Sequence, residues 1–446
     1  TVKETEVFEL LFVQERDPLR EQWDGYRLGV EGVKEKLGFT NTFFNSEFAF
    51  FQANFDAFDR VLFFDFNNDI RDDLANDSDL YSLINVFKEK VNYPENFSSS
   101  KASLYRYITT SDAKSSANVA QVLARSLRRD SDLAKDTLLL NYKNAINENQ
   151  RTELKSLIRS RLTNLDTETL GYIMDELRET KLPEEIALLK KAVYISAVGQ
   201  VEVMKAMHPN MSEREIQGIH EFVFKKYGAE YEGYPSIVGG GHNGCVLHYI
   251  TNDKPRVGAD LVLMDLGAEY HNYTADVTRT IPANGKFSAE QRAIYDLVYQ
   301  AQEAGIAASV VDASMRDPHF AAVAVITAGL QSLGIIEDPS EVRRYFPHGT
   351  SHYLGLDVHD AGTYGSLKSH TLITVEPGIY IPENSSCDPK WWGIAVRIED
   401  DILITDDGPI NLSAYAPRTA DAIEAMMEQP SVLDKFLLPD LNTLAQ

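Results

Sequence analysis

The sequence predicts an α/β (α+β) fold in two domains, a smaller one in front of a larger one. Three observations predict it. The chain has 446 residues, about three times the usual domain size, so more than one core is expected. Strand-like and helix-like patterns alternate through the first third of the chain, as in a small α/β domain. Beyond residue 230 the character changes to glycine-punctuated strands, each carrying His, Asp or Glu near its end.

Each element follows from a local pattern. VFELLFVQERD (7–17) reads as a half-buried strand. Phe44, Phe48, Phe51, Phe55 and Phe58 recur at alternating spacings of four and three, which predicts an amphipathic helix. A core-facing stripe is the commoner use of such rings, and stacking on a ligand the rarer one. VLFFDF (61–66) reads as a buried strand and DLYSLINVFKEKV (79–91) as a helix. From 100 to 165 the chain is polar and helix-prone, without Gly or Pro, and NENQRTELKSLIRSRL reads as a solvated helix with one apolar side. LRETKLPEEIALLKKA (177–192) marks the boundary between domains at 1–170 and 178–430. Pro183 fits the first turn of a long helix, with Glu184 and Glu185 near its positive end. Ser212 and Glu215 have capping-box spacing for the next helix, and Gly228 ends it. Two more helices are expected near 288–306, capped by Ser288 and Gln291, and near 315–333.

Composition narrows the function. Hydrophobic residues make up 43% and charged residues 25%, which is ordinary for a globular protein. The formal net charge of −24 argues against nucleic acid, which needs a concentrated basic face. It suits a protein that gathers cations, although a solvated acidic surface accounts for most such excesses. No run approaches the ~18 apolar residues of a membrane span and no secretory signal opens the chain, so no membrane partner is expected and the cytoplasm is the expected compartment. Cys245 and Cys387 are the only cysteines; two cannot build a disulfide framework or a thiolate zinc site.

Five positions carry the chemistry, each set in an otherwise apolar or glycine-rich stretch. Asp265 and Asp276 lie in LVLMDLGAEYHNYTADVTRT, where a hairpin would bring both carboxylates to one end of adjacent strands. FPHGTSHYLGLDVHDAG holds His348, His352 and His359. Glu376 ends an apolar strand in LITVEPGIYIP, before a Pro-Gly turn. Glu399 stands at the centre of the apolar strand GIAVRIEDDILIT, with Arg397 on the same face because strand side chains alternate. A buried carboxylate needs a cation or donors. Oxygen donors with one imidazole suit Mn²⁺, Co²⁺ or Zn²⁺. Four carboxylates balance two divalent cations, which points to a binuclear site.

At these residues the sequence resembles the pita-bread metallopeptidases, most closely the aminopeptidase P family. The resemblance runs from 7 to 429 and is carried by NGCVLHY, MDLGAEYHNYTADVTRT, HGTSHYLGLDVHD, TVEPGIYI and VRIEDD, in that order. It implies a C-terminal pita-bread domain behind a smaller α/β domain. It also implies that Asp265 chelates one metal, that His352 and Glu376 hold the other, and that Asp276 and Glu399 bridge them. His248, His348 and His359 would line the substrate site. The implied activity removes the first residue from peptides with proline second, through a hydroxide bridging two divalent metals, most simply Mn²⁺. His359 would donate to the tetrahedral intermediate, Glu376 would carry a proton to the leaving nitrogen, and His248 would hold the carbonyl after proline. Arg397 would orient carboxylates at the substrate site or serve as a structural salt bridge, and Tyr380 is a weaker candidate. A homo-oligomer is the family habit. Since VFELLFVQERDPLREQWDGYRLG resembles a region inside the family's N-terminal domain, and residue 1 is Thr, the front domain is expected to be incomplete at its start. An Xaa-Pro dipeptidase (prolidase) shares every ligand. Methionine aminopeptidase lacks the front domain, and a non-enzymatic pita-bread module would have lost ligands that are present here.

Overall fold

The computed structural model describes residues 2–3, 6–63, 80–93, 98–111 and 116–435. The chain divides into two compact units, Thr1–Tyr172 and Ile173–Gln446.

In the first unit, β1 (Val2–Lys3) and β2 (Glu6–Val7) pair antiparallel. β3 (Leu11–Val13) leads through α1 (Pro18–Asp24) and α2 (Gly29–Leu37) to β4 (Thr42–Phe44), which lies parallel to it. The helical crossover is what a parallel pair requires.

The phenylalanine stripe does not form the expected helix. Phe44 closes β4, Phe48 lies in a short 3-10 turn (Asn45–Phe50), and Phe55 opens another (Phe55–Ala57). The rings pack instead as clusters, with Phe12 against Phe43, Phe48 and Phe51 at centroid distances of 5.4, 4.9 and 5.6 Å. Asn45 accepts from Ser46 N at 3.0 Å, a local bond that competes with helix.

β5 (Val61–Leu62) is shorter than the sequence suggests, and the rest of that expected strand, from 64 on, lies outside the described residues. α3 (Leu80–Lys90), α4 (Ser99–Thr110), α5 (Ser116–Arg129), α6 (Thr137–Asn144) and α7 (Glu148–Arg159) follow. β6 (Leu165–Asp166) then returns parallel to β5. Ile108, Val119, Leu123, Leu139 and Ile158 form the core between α4 and α7.

α8 (Thr169–Glu179) spans the boundary, and the second unit continues with α9 (Pro183–Ala206), which opens on Pro183 with Glu184 and Glu185 in its first turn. α9 is buried on most of its circumference, so it is a central helix. Its few polar residues pin the strands beside it. Ser196 Oγ accepts Ala268 N at 2.9 Å, and Gln200 Nε2 donates to the carbonyls of Met264 and Val277 at 3.1 and 2.7 Å. α10 (Glu213–Lys226) has the Ser212–Glu215 capping box, and Gly228 beyond it takes a φ of +89°.

The strands follow as β7 (Tyr231–Glu232), β8 (Ile237–Gly240), β9 (Leu261–Asp265), β10 (Ala268–Tyr270), β11 (Tyr273–Thr274) and β12 (Thr278–Pro282). β9 pairs antiparallel with both β8 and β12. β10 and β11 form the hairpin between Asp265 and Asp276, turning on His271 and Asn272 at φ 50° and 68°, the left-handed pair that a two-residue turn demands.

α11 (Ala289–Ala308) and α12 (Asp317–Ser332) interrupt the strands, the first with the Ser288–Gln291 capping box. β13 (Leu372–Val375), β14 (Gly378–Ile381), β15 (Ile394–Arg397), β16 (Asp400–Thr405) and β17 (Gly408–Asn411) complete the sheets before α13 (Ala420–Met427). Strands and helices share one apolar core that includes Ile195, Phe224, Met264, Ile281, Val298 and Val396.

One interruption matters for the site. β13 pairs with β16 as far as Val375 opposite Asp400, and β14 pairs with β15 from Gly378 opposite Arg397. Glu376–Pro377 and Ile398–Glu399 face each other in the gap. Pro377 has no N–H to give a ladder. Glu399 is therefore not at a strand centre, as the sequence suggested, but in a two-residue break. Its N–H donates to Thr278 O at 3.1 Å, while that of Glu376 donates to Thr350 O at 2.9 Å.

Candidate metal centre

The breaks and strand ends open into one cavity of about 640 Å³, lined by Asp265, Asp276, His352, Glu376 and Glu399 and, on its walls, by His248, His348 and His359. Asp265 ends β9 opposite Thr278, and Asp276 lies two residues before β12. One donor atom each from Asp276, His352 and Glu399 come within 4.8 Å of one another. Glu376 adjoins that group, with Oε1 3.5 Å from His352 Nε2, which is also 3.5 Å from Asp276 Oδ2. Asp265 joins through Tyr234, whose hydroxyl lies within hydrogen-bonding reach of both Asp265 and Asp276. The structure thus gathers all five sequence-picked residues, three at one point and two beside it.

Electrostatics show what the arrangement needs. Burial, then the charge of Asp265, raises Asp276 to about 6. Burial and the neighbouring Asp276 raise Glu376 to about 7 against the pull of His352. Glu399 is pushed well above its ordinary range by burial and by Asp276 and Glu376. Asp265 is held low: burial opposes its ionisation, but the Arg397 charge and the Tyr234 hydroxyl outweigh it. Burial lowers His352, yet Asp276 and Glu376 carry it up to about 9. Such crowded like charges are relieved by cations.

The donor set fits hard divalent ions. His352 Nδ1 lies 2.9 Å from Tyr353 O. A carbonyl only accepts, so Nδ1 keeps a proton, and a cation replacing the proton on Nε2 would find that nitrogen aimed at the carboxylates, the arrangement a metal-binding imidazole uses.

Arg397 organises the floor. Buried at 3% exposure, it donates from Nη2 to Asp265 Oδ2 at 2.5 Å, from Nη1 to Tyr380 Oη at 2.9 Å and from Nε to Thr278 Oγ1 at 3.3 Å. Thr278 in turn donates to Glu399 Oε2 at 2.6 Å. Tyr380 reaches His348 Nε2 at 2.8 Å, and His348 Nδ1 donates to Gly349 O at 2.6 Å. Burial and the Arg397 charge lower His348 to about 4. The His359 ring stands edge-on to His352 at 4.3 Å, and burial with the His352 charge lowers its pKa. His248 is exposed at the cavity rim. The segment after His359 is anchored by Asp360, which meets Lys181 at 2.9 Å with both side chains 1% exposed, and also Arg178.

Sequence reasoning missed Tyr234, Thr278 and Arg279. Arg279 is fully buried and uses all five of its donors: on Asp400 Oδ1 at 2.7 Å and on the carbonyls of Thr278, Glu399, Ala416 and Pro417 at 2.9, 2.7, 2.9 and 3.1 Å. The only signal was a basic residue inside a strand between two threonines.

Oxygen and imidazole donors converging where antiparallel strands break define the carboxylate–histidine class of metal centre. The chain belongs to metallopeptidase family M24. The model of that family matches residues 187–406, and the model described as the aminopeptidase P N-terminal domain matches residues 2–55. An Xaa-Pro aminopeptidase of Escherichia coli (strain K12) is 41% identical over 267 residues, covering 57% of this chain and 60% of that protein. One from Haemophilus influenzae is 42% identical over 269 residues, covering 57% and 62%. The matches thus span about three fifths of the length of these curated relatives. A solved single-alanine variant of Escherichia coli aminopeptidase P superposes with a TM-score of 0.70 at 31% identity, covering 93% of this chain and 81% of that one. That likeness bears out the expected pita-bread fold. Family membership implies divalent metal. Among the described residues no helix is long and apolar enough to cross a membrane.

Proposed function

We propose that this chain is a metal-dependent exopeptidase that removes the N-terminal residue from peptides with proline in the second position. The observation that carries the reading is the convergence of Asp276, His352 and Glu399, flanked by Asp265 and Glu376, on one cavity walled by three histidines. The names of the relatives support the proline preference.

In this reading Asp265, Asp276, His352, Glu376 and Glu399 hold two divalent cations, with Mn²⁺ the simplest match to the donors. When bound, such ions supply a Lewis acid and a water that ionises near neutral pH. The chain's own residues do the rest. His248, exposed at the rim, holds the carbonyl after proline. His359, beside His352, donates to the developing oxyanion. Glu376, between His348 and His352, passes a proton to the leaving nitrogen. That nitrogen belongs to a tertiary amide without an N–H, so recognition rests on the carbonyls and the free amine. His348 and Arg397 order this wall through Tyr380. The physiological form is read as a cytoplasmic homo-oligomer.

The test is hydrolysis of an Xaa-Pro-Yaa tripeptide with added Mn²⁺, stopped by a chelator. Cleavage confined to Xaa-Pro dipeptides would move the reading to a prolidase, and failure to take up metal would end it. His352→Ala should lose metal, whereas His359→Ala should keep metal and lose turnover; the reverse pattern would overturn the roles.

A further inference from the structure

We infer that Glu213, remote from the metal ligands in sequence, is the positioning residue for the segment that carries His248. This rests on reading the cavity as a peptide site, and it assigns the placement of one wall to a single buried carboxylate.

Residues 240–254 leave the end of β8, pass through a short 3-10 turn (Gly241–Cys245) and return at Lys254. Leu247, His248 and Ile250 on this segment line the catalytic cavity, yet His248 itself is exposed. Its neighbours Leu247 and Tyr249 pack on the cluster of Ile237, Leu263, Tyr380 and Ala395, so its position is set by the segment around it.

Glu213 provides that fix. It is the first residue of α10, and its side chain turns inward with 0% exposure. Oε1 accepts from Gly240 N at 2.8 Å and Asn243 Nδ2 at 3.0 Å. Oε2 accepts from Lys254 N and from the Tyr249 hydroxyl, both at 2.9 Å. Its own backbone N–H donates to Lys254 O at 3.1 Å. One carboxylate thereby ties the beginning, turn, middle and end of the segment, and Tyr249 is the residue next to His248.

The segment is also stacked directly on β8. A Cβ on Gly239 would lie 2.8 Å from the Gly244 backbone, so glycine at 239 is what admits the close approach. Asn252 adds a second hold just inside the far end, accepting from Val238 N at 2.9 Å and donating to Ser236 O at 2.8 Å. Losing Glu213 would therefore loosen the segment without releasing it.

Glu213→Gln keeps the shape and removes the fit. Either orientation of the amide sets its NH₂ against a backbone N–H, that of Lys254 or that of Gly240. The experiment measures kcat and KM on an Xaa-Pro-Yaa tripeptide, bound Mn²⁺ by elemental analysis, and deuterium uptake of peptides covering 241–252, in wild-type and E213Q protein. The expected result is a KM raised at least fivefold, kcat within about twofold, full metal content, and faster exchange confined to 241–252. Tyr249→Phe, which removes one of the four bonds together with the hydroxyl's bonds to Asn243 and Asp253, should shift both readouts the same way by less, and it decides the matter if E213Q does not fold. Unchanged KM and exchange, or a lower melting temperature with KM unchanged, would overturn the inference. If the wild-type protein cleaves no such tripeptide, the functional reading fails, and the exchange comparison alone still decides whether Glu213 positions the segment.

Discussion

Replacing His220 by leucine should remove a defined part of the acid sensitivity of the larger unit. His220 lies on α10 with 0% exposure. Its Nδ1 donates to Ile216 O at 3.2 Å, and its Nε2 is buried with no partner among the described residues. Burial disfavours the imidazolium and lowers the pKa from 6.5 to about 4, against the weaker pull of the Ile216 carbonyl. The unfolded chain therefore takes up this proton near pH 6.5 and the folded chain only near pH 4. Stability contributed by the neutral ring is complete above pH 7.5 and declines as pH falls through 6.5. Below 4 both states are protonated and the loss levels off. Linkage makes the loss about 2 kcal/mol at pH 5 and roughly 3 kcal/mol at its limit.

The metal-centre carboxylates titrate over the same range, but they are common to both proteins, so the difference between variant and wild type isolates His220. The assay is urea unfolding followed by tryptophan fluorescence at pH 8 and pH 5. Trp391 is 5% exposed in the core cluster that also holds Phe224, whereas Trp23, at 88%, changes little on unfolding. Between pH 8 and pH 5 His220→Leu should gain about 2 kcal/mol on wild type. Identical pH dependence in the two proteins would refute the reasoning.

Two further outcomes follow from buried ion pairs. Arg279→Met removes five donors and leaves buried carbonyls and Asp400 short of partners, a loss of roughly 3–5 kcal/mol. At about 2–4 °C per kcal/mol for a unit of this size, the calorimetric transition should fall by roughly 6–20 °C, and a shift below about 2 °C would contradict it. Lys181→Met breaks the pair with Asp360 next to His359 but leaves Arg178 in place. It should lower turnover on a tripeptide while bound metal, measured in the same samples, stays at the wild-type level; unaltered kcat would mean the anchor does not reach His359.

Much of this was legible in the sequence. Helix starts at Pro183, Ser212 and Ser288 were readable because capping depends on residues three apart. The five candidate ligands were readable because an acid or imidazole in an apolar run needs compensation. The phenylalanine stripe misled because spacings of four and three satisfy both a helix and a chain of turns that packs Phe48 and Phe51 on Phe12 and Phe55 on Phe87, and only tertiary contacts choose between them. Arg279 and Thr278 stayed hidden because their partners, Asp400 and Glu399, lie 121 residues away in each case. No local pattern carries that information.

The misplacement of Glu399 explains most about the site. A strand reading puts it mid-ladder, opposite Glu376, in an antiparallel pair whose two N–H groups point away from each other. Pro377, opposite Ile398, accepts from Ile398 N at 3.4 Å but cannot donate in return, so the ladder breaks between Val375–Asp400 and Gly378–Arg397. The N–H of Glu399 therefore goes outward to Thr278, and that of Glu376 to Thr350. Those two bonds link the break to the strand after Asp276 and to the segment before His352. This outward-facing pair explains why carboxylates from the end of β9, the segment before β12 and both broken strands meet at one cavity.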